Sequence, residues 1–410
     1  MTVAEATLSS DPATATDQVA KQAAALSLRD ESKPEQQDGV VAPHRSHDPA
    51  NNQKRSDPFQ FGSRYLGQDD DVFEFNAWDH VETDDAYKEY AESQYEKQRQ
   101  APASDFDKSE STSSPAEHNT LDVVMSLSKC IVHLTKDDDS LILLSLPSDC
   151  IYSLLLLFIY RFGSFLFANA YALKGRFNGQ PAKWWDLFYK NNSANFFKDR
   201  KWLQQEFPIL EQVATEDFGP ATVLEIGAGA GNTAFPLIAR NKNPHLKVHA
   251  CDYSKKAVDV MRSQENYNTD AMQADVWDVT SDELPPGLTE GSVDVAILIF
   301  IFSALSPREW EKAVKNVARL LKPGGQVCFR DYGRGDLAQV RFRKNRYLEE
   351  NFYVRGDGTR VYFFEEDELA QIWAGEFEVL ALGMDRRLLV NRASKQKMYR
   401  CWLQGRFKRK

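Results

Sequence analysis

The chain has 410 residues, which is enough for one large domain with extensions. Its apolar content of 42% is low for a wholly globular chain and predicts disordered segments. The net charge of -10 argues against a uniformly basic nucleic-acid binder, but residues 386–410 contain ten Lys or Arg and no Asp or Glu. That segment is either an ordinary solvated surface or a local contact with nucleic acid.

The five cysteines are scattered, with no Cys-x-x-Cys pair and no signal peptide before them. This usage predicts a reduced protein of the cytoplasm. The seven histidines show no ligand spacing, so we expect no metal site.

Residues 1–57 contain no aromatic side chain and predict a disordered tail. Aromatic residues begin at Phe59, and a charged segment at about 84–100 predicts a helix. We therefore expect an N-terminal arm at 58–108. An arm of this length buries little surface alone, so it should lean on the main domain or on a ligand.

Residues 109–174 combine a Ser-rich linker with a dense apolar run, Ile151–Leu173, which is about long enough to span a bilayer. Arg161 near its middle would cost a few kcal/mol in lipid, so a membrane span is disfavoured. A buried or partner-binding helix and a segment foreign to the fold stay open as alternatives.

Residues 175–410 alternate strands and helices and predict an α/β domain with a seven-stranded, mostly parallel sheet. A helix at 307–321 carries Pro307 in its first turn. The last two predicted strands should form an antiparallel pair at the sheet edge. The expected strands are 221–227, 247–252, 271–276, 293–301, 325–331, 377–385 and 397–407.

A glycine loop joins the first of these strands to a helix, with Gly227, Gly229 and Gly231 at alternate positions. Glycine permits the tight turn, and the helix that follows presents free N–H groups. Asp252 ends the second strand, where a carboxylate can hold ribose hydroxyls. The G-x-G-x-G spacing differs from the dinucleotide fingerprint and resembles the S-adenosylmethionine loop of class I, Rossmann-like methyltransferases.

The third strand leads to Asp278, which we expect to accept a hydrogen bond from the adenine amine, although it is alternatively a turn or cap residue. Asp275 is a rival for this role but lies earlier in the strand. The fourth strand ends in the apolar Leu298–Ser303, where many enzymes acting on ring nitrogens carry a polar-Pro-Pro-aromatic motif. Amide-type nitrogen chemistry is therefore not favoured.

The fifth strand ends in Arg330, Asp331 and Tyr332, beside the expected ligand crevice. Further on, residues 351–364 interleave aromatic side chains with arginines. Aromatic rings can stack on bases and arginines can hold phosphates. The same pattern is typical of a β-hairpin with a packed aromatic face, and both interpretations can hold together.

Several long motifs in one order resemble the tRNA 3-methylcytidine methyltransferases, especially their fungal members. They include Phe75-Asn-Ala-Trp-Asp79, Trp185-Asp-Leu-Phe-Tyr189, residues 195–202, Phe329-Arg-Asp-Tyr-Gly333, residues 350–360 and residues 386–392. The resemblance implies S-adenosylmethionine as cofactor and methylation of cytidine 32 in the anticodon loop of threonine and/or serine tRNAs. It also implies that the arm helps to hold tRNA, and that seryl-tRNA synthetase or another helper is needed by some members. The resemblance covers residues 59 to about 100 and 175–410, and it does not extend to the segment 109–174.

The resemblance and the pattern together assign three groups of candidate site residues. The catalytic candidates are Asp331, Arg330 and Tyr332. The cofactor candidates are Trp185, Tyr189, Glu225, Gly227, Gly229, Gly231, Asp252, Tyr253, Asp278, Val279, Leu298 and Ile299. The tRNA candidates are Phe75, Trp78, Lys198, Arg200, Arg334, Arg341, Asn351, Phe352, Tyr353, Arg355, Arg360, Arg386 and Arg387.

Cytosine N3 keeps its lone pair at neutral pH, so the implied reaction needs no general base, and positioning should dominate. We expect Asp331 to stabilise the charge that develops on the ring. Two rivals are a non-catalytic RNA-binding protein that keeps the fold and a small-molecule methyltransferase. The glycine loop with Asp252 counts against the first, and the arginine-rich segments and the arm count against the second.

Overall fold

The computed structural model describes residues 64–100, 177–194, 196–343 and 345–410. The predicted tail at 1–57 and the segment at 109–174, including its apolar run, lie outside the described residues. Among the described helices, none is both long enough and apolar enough to cross a bilayer.

The described chain is built from β-strands and α-helices, numbered here in chain order. The strands are β1 (Ala77–Asp79), β2 (Ala221–Ile226), β3 (Leu246–Asp252), β4 (Met272–Val276), β5 (Val293–Ile299), β6 (Leu321–Tyr332), β7 (Tyr347–Glu349), β8 (Phe352–Val354), β9 (Arg360–Tyr362), β10 (Phe377–Asn391) and β11 (Gln396–Arg409). The helices are α1 (Asp85–Gln100), α2 (Pro181–Asn192), α3 (Leu203–Glu206), α4 (Pro208–Gln212), α5 (Ala234–Ala239), α6 (Lys255–Arg262), α7 (Trp310–Leu320), α8 (Leu337–Val340) and α9 (Glu366–Ala374).

Within the described residues, the main sheet has eight strands in the order β1-β10-β11-β6-β5-β2-β3-β4. Strands β2 to β6 are parallel to their neighbours in this group, whereas β11, β10 and β1 add in antiparallel fashion. All seven predicted strands are present, so the predicted α/β fold class is confirmed. The terminal pair is not at the sheet edge, because the short β1 from the predicted arm pairs with β10 outside it.

The parallel strands form because their residues suit burial on both faces. Strand β5 reads Val-Asp-Val-Ala-Ile-Leu-Ile, and six of its seven residues are apolar and buried. Helix α7 begins after a capping box between Ser306 and Glu309, with Pro307 in the preceding turn. Its buried residues include Ala313, Val314 and Val317, which follow helical spacing.

Contacts divide the described chain into two compact units. The first contains residues 64–82, 182–336 and 363–410, and it includes the eight-stranded sheet. The second contains residues 83–100, 177–181 and 337–362, which include α1, α8 and the sheet β7-β8-β9. The predicted arm thus contributes β1 to the first unit and α1 to the second.

The second unit is held by a buried polar network. Gln98 of α1 donates from its Nε2 to the carbonyls of Gln339 at 3.1 Å and Phe342 at 3.1 Å, while its Oε1 accepts from the Tyr353 hydroxyl at 3.0 Å. The Tyr95 hydroxyl lies 3.2 Å from Gln339 Oε1. Strands β8 and β9 form the predicted hairpin, and both are fully buried. The predicted aromatic face is therefore confirmed as a packed one.

Candidate functional site

The glycine loop lies where the strand order reverses. Strand β2 has β3 on one side and β5 on the other, so a crevice opens at their carboxyl ends. The backbone N–H groups of Gly227 and Ala228 both donate to the Cys251 carbonyl, at 2.8 and 3.0 Å. These bonds fix the loop against the end of β3.

The loop is a cradle in which side chains are excluded. Gly227 and Gly229 have φ of +70° and +58°. A Cβ at Gly227 would lie 2.5 Å from Ile301 Cδ1, and one at Gly229 would overlap the hydroxyl of Tyr189. Glycine suits both positions because it adopts positive φ without strain and has no Cβ that would need space. Any other residue would be strained in this backbone conformation and would clash with Ile301 or Tyr189.

Asp252, at the end of β3, is tied to the same loop. Its Oδ2 accepts from the Gly229 N–H at 2.9 Å, and its Oδ1 accepts from the Ser254 N–H at 2.9 Å. Burial raises the pKa of Asp252 to about 6, against the lowering by these two backbone N–H groups. Each carboxylate oxygen keeps a second lone pair, so the group can still accept from hydroxyls.

A second buried carboxylate, Glu225 of β2, lies beneath the loop. Its Oε2 accepts from the Ala234 N–H at 3.0 Å, and its Oε1 lies 3.8 Å from the Arg200 guanidinium. Burial raises the pKa of Glu225 to about 7, although Arg200 opposes this shift. Arg200 also donates to the Thr233 hydroxyl at 3.1 Å. The structure therefore places Arg200, predicted as a tRNA contact, beside the glycine loop.

Helix α2 brings its aromatic residues to the loop. Tyr189 is buried and Trp185 is half-buried, with their ring centroids 6.2 Å apart. Asp186, which the sequence patterns did not single out, accepts from the Ser254 hydroxyl at 2.7 Å and from the Lys256 N–H at 3.0 Å. It therefore ties α2 to the start of α6. No local pattern indicates this contact, because Asp186 and Ser254 are 68 residues apart.

The remaining cofactor candidates lie at the ends of β3, β4 and β5. Asp278 is exposed, and its Oδ1 accepts from the N–H and the hydroxyl of Thr280, at 2.8 and 2.7 Å. This is an Asx turn, and its adenine contact stays a prediction. Asp275, the rival, is paired with Arg262 at 3.0 Å. Tyr253 is half-buried, whereas the other three are buried: Val279, Leu298 and Ile299.

Arg330, predicted as a catalytic residue beside the ligand crevice, is buried among other protein groups. Its side chain is 5% exposed and pairs with Asp385 at 2.5 Å. It also donates to Gln404 Oε1 at 2.6 Å and lies between the rings of Trp202 and Trp402, 5.1 and 5.0 Å from their centroids. With its donors used inside the protein, Arg330 acts here in packing the end of β6.

Asp331 is fully buried. Its Oδ2 accepts from the Ser303 N–H at 2.9 Å and its Oδ1 from the Tyr332 N–H at 2.8 Å. The carboxylate thus holds the turn after β5, and its direct contact with a substrate ring stays a prediction. Tyr332 is half-buried and faces Phe300, with ring centroids 4.9 Å apart.

The tRNA candidates divide by exposure. Those that are buried include Trp78, which donates to the Val72 carbonyl at 2.8 Å, and Arg360, which donates to Asn178 Oδ1 at 3.0 Å. The other buried ones are Asn351, Phe352 and Tyr353. Those at least partly exposed are Phe75, Lys198, Arg200, Arg334, Arg341, Arg355, Arg386 and Arg387.

Several of the exposed group already have acidic neighbours. Arg334 pairs with Glu365, and Arg386 lies 3.4 Å from Glu82. Buried aromatic residues cannot stack on a base in this conformation, so base stacking by Phe352 or Tyr353 stays a prediction. In the part of the chain that the structure describes, no group of three or more His, Cys, Asp or Glu is arranged to hold a metal ion.

Comparison with known proteins agrees with this geometry. A family model described as a methyltransferase domain matches residues 224–327, from β2 into β6. The chain is 41% identical to the tRNA(Thr) (cytosine(32)-N(3))-methyltransferase of Saccharomyces cerevisiae, over 85% of this chain and 46% of that protein. It is 39% identical to the tRNA N(3)-methylcytidine methyltransferase of Schizosaccharomyces pombe, over 85% of this chain and 92% of that protein.

A third relative is the tRNA N(3)-methylcytidine methyltransferase of Drosophila melanogaster, which is 35% identical over 87% of this chain and 90% of its own length. The chain therefore spans about half the length of the Saccharomyces cerevisiae relative and nearly all of the other two.

Proposed function

Since the chain belongs to the family of tRNA N(3)-methylcytidine methyltransferases, we propose that it methylates N3 of cytidine 32 in the anticodon loop of threonine tRNAs, serine tRNAs or both. The observation that carries this proposal is the 39% identity to a relative of which the chain covers 92%. The intact glycine loop and Asp252 support an enzyme over a non-catalytic RNA-binding protein.

The residues around the glycine loop fit S-adenosylmethionine, the cofactor of this methyltransferase family. The loop leaves no room for a Cβ at Gly227 or Gly229, as a cradle for a ligand requires. The Asp252 carboxylate, held by two backbone N–H groups, suits ribose hydroxyls. Tyr189 and Trp185 of α2 supply an apolar cover. When bound, the cofactor supplies an electrophilic methyl group.

The chain's own contribution is to bind, orient and shield the cytosine. N3 carries an in-plane lone pair at neutral pH, so no side chain needs to remove a proton. Pairing in a stem would hide N3, and a loop base that can be splayed out is accessible. Catalysis then depends on holding the ring at the carboxyl ends of β5 and β6 in the correct orientation. Asp331 acts in this scheme by fixing the Ser303 turn.

The proposal includes a tRNA surface and a location in the cytoplasm. Arg341 and Lys97 of the second unit are exposed. Exposed cations of this kind can contact phosphates. The arm as a tRNA-holding element rests on the family resemblance, and the cytoplasmic location on the scattered cysteines.

The direct test is methylation of unmodified threonine and serine tRNAs with labelled S-adenosylmethionine, followed by nucleoside analysis. We expect labelled 3-methylcytidine, which disappears when cytidine 32 is replaced by uridine. An Asp252→Ala variant serves as the control for cofactor dependence. The reaction is repeated with seryl-tRNA synthetase added, because a helper requirement is part of the proposal. Cofactor binding without 3-methylcytidine in any tRNA, with or without the synthetase, contradicts the proposed function.

A further inference from the structure

Phe300, directly after β5, has an unusual backbone conformation. Its φ is +60°, in the left-handed region. Six non-glycine residues of the described chain have positive φ, and Phe300 alone among them is apolar; the others are His80, Ser193, Asn345, Asn351 and Lys395. A bulky residue in this region is a genuine outlier, whereas Asn or Gly would occupy it at low cost. Backbone strain of this kind is concentrated at functional sites, where the surrounding structure holds the residue in place.

The position of Phe300 indicates what this use is. Its ring is half-buried, and it lies 4.9 Å from the half-buried ring of Tyr332 at the end of the neighbouring strand β6. The next residue, Ile301, packs against the glycine loop at Gly227. The Arg200 guanidinium lies 6.0 Å from the Phe300 ring. Phe300 thus stands at the carboxyl ends of β5 and β6, beside the loop that fits the cofactor.

We propose that Phe300 and Tyr332 form an aromatic wall that contacts the pyrimidine ring receiving the methyl group. The inference rests on the proposed function and names the part of the site that holds the target base. The Phe300 N–H donates to the Arg330 carbonyl at 2.8 Å, and its half-buried side chain packs against the core of the sheet. The backbone at Phe300 is therefore fixed and its ring supported before the substrate arrives, which reduces the entropy lost on binding.

The chemistry of the reaction explains why aromatic rings suit this position. The N3 lone pair forms the new N–CH₃ bond, the S–CH₃ bond breaks, and its electron pair stays on sulfur. No proton leaves, so the pyrimidine gains one positive charge. Aromatic rings attract cations through their quadrupole, and the attraction corresponds to roughly two- to thirtyfold in a rate or binding constant. Asp331, which is fully buried, does not offer a surface for this contact.

The first experiment compares Phe300→Leu and Phe300→Tyr with wild type in the tRNA methylation assay. Leucine keeps an apolar side chain but removes the aromatic ring. We expect turnover of Phe300→Leu to fall about two- to thirtyfold, with the KM for tRNA and the affinity for S-adenosylhomocysteine unchanged, and Phe300→Tyr to restore turnover. The matched control is Phe218→Leu, because Phe218 is 42% exposed and precedes β2 at the opposite end of the sheet.

The second experiment measures binding of the nucleosides cytidine and 3-methylcytidine to the full chain saturated with S-adenosylhomocysteine. The methylated nucleoside is a cation at pH 7, so we expect wild type to bind it about two- to thirtyfold more tightly. Phe300→Leu should lose this preference and Phe300→Tyr should keep it. If the leucine variant does not fold, the affinities of the wild-type protein for the two nucleosides still test the proposal.

The aromatic wall is contradicted by leucine turnover equal to wild type, by loss of cofactor affinity in Phe300→Leu, or by equal affinity of wild type for the two nucleosides. These results are distinguishable from failure of the proposed function. A wild-type protein that forms no 3-methylcytidine contradicts the function itself. An active wild type with an equally active leucine variant contradicts only the role of Phe300.

Discussion

Replacing Gly229 by alanine tests whether the glycine loop is shaped as the structure shows. At φ of +58° an alanine costs about 1–2 kcal/mol of backbone energy. The new Cβ would also overlap the Tyr189 hydroxyl, and overpacking of this kind typically costs about 1–3 kcal/mol more. The control is Gly291→Ala, because Gly291 has φ of +64° with nothing within 4 Å of a Cβ. It should show the backbone cost alone.

The assay is chemical denaturation of each variant, with calorimetric titration of S-adenosylhomocysteine. Gly229→Ala should lose more stability than Gly291→Ala by about the overpacking cost of 1–3 kcal/mol. It should also bind the cofactor product about tenfold more weakly or worse, because the Gly229 N–H that holds Asp252 moves. Adding Tyr189→Phe removes the clashing oxygen and should recover most of the extra stability loss. Equal losses in the two alanine variants, or no recovery with Tyr189→Phe, would refute the reasoning.

Three further outcomes follow from buried polar groups. Burial raises the pKa of Asp252 to about 6, so affinity for S-adenosylhomocysteine should weaken as pH falls through 6. Because the folded state then binds a proton that the unfolded state does not, the cofactor-free stability measured by urea unfolding should decrease as pH rises from about 4 to 6. Asp252→Asn should show a smaller decrease, and the part that stays is expected from Glu225, whose pKa burial raises to about 7. Asp385→Ala should lower the free energy of unfolding by about 3–5 kcal/mol in the same assay, because Arg330 is left buried without its ion-pair partner. The control Asp85→Ala should change it little, because the Asp85 side chain is 91% exposed. Gln98→Ala should release the carbonyls around α8 at a cost of about 1–3 kcal/mol and speed hydrogen exchange there, and persistence of wild-type exchange would contradict this.

The regular elements of the first unit were predictable because they depend on short-range patterns. Strand β5 is a nearly continuous apolar run, and β3 begins with alternating apolar and polar residues. The start of α7 is indicated by Ser306, Pro307 and Glu309. The sequence pattern does not predict strand β1, because three residues are too few to show the alternation of a strand. Its strand conformation depends on pairing with β10. The strand ends at Asp252 and Asp331 were likewise placed at the carboxyl edge from the pattern alone.

The roles of the arginines were less predictable than their positions. Sequence patterns treat Arg330 and Arg360 as basic residues available to RNA, yet both are buried. The partner of Arg330, Asp385, is 55 residues away, and the partner of Arg360, Asn178, is 182 residues away. A charged side chain can be buried when a hydrogen-bonding or oppositely charged group pairs with it. When that group is distant in the sequence, no local pattern indicates the pairing.

By itself, the sequence determined the order of strands and helices, the glycine loop with its acidic neighbour, and the family to which the chain belongs. These features depend on residues adjacent along the chain or at short fixed spacings. The tertiary structure alone decided that Asp186 holds α6, that α1 joins residues 337–362 in one unit, and that Phe300 stands in a left-handed turn against Tyr332. Each of these depends on contacts between remote segments, whose geometry arises only when the whole chain packs.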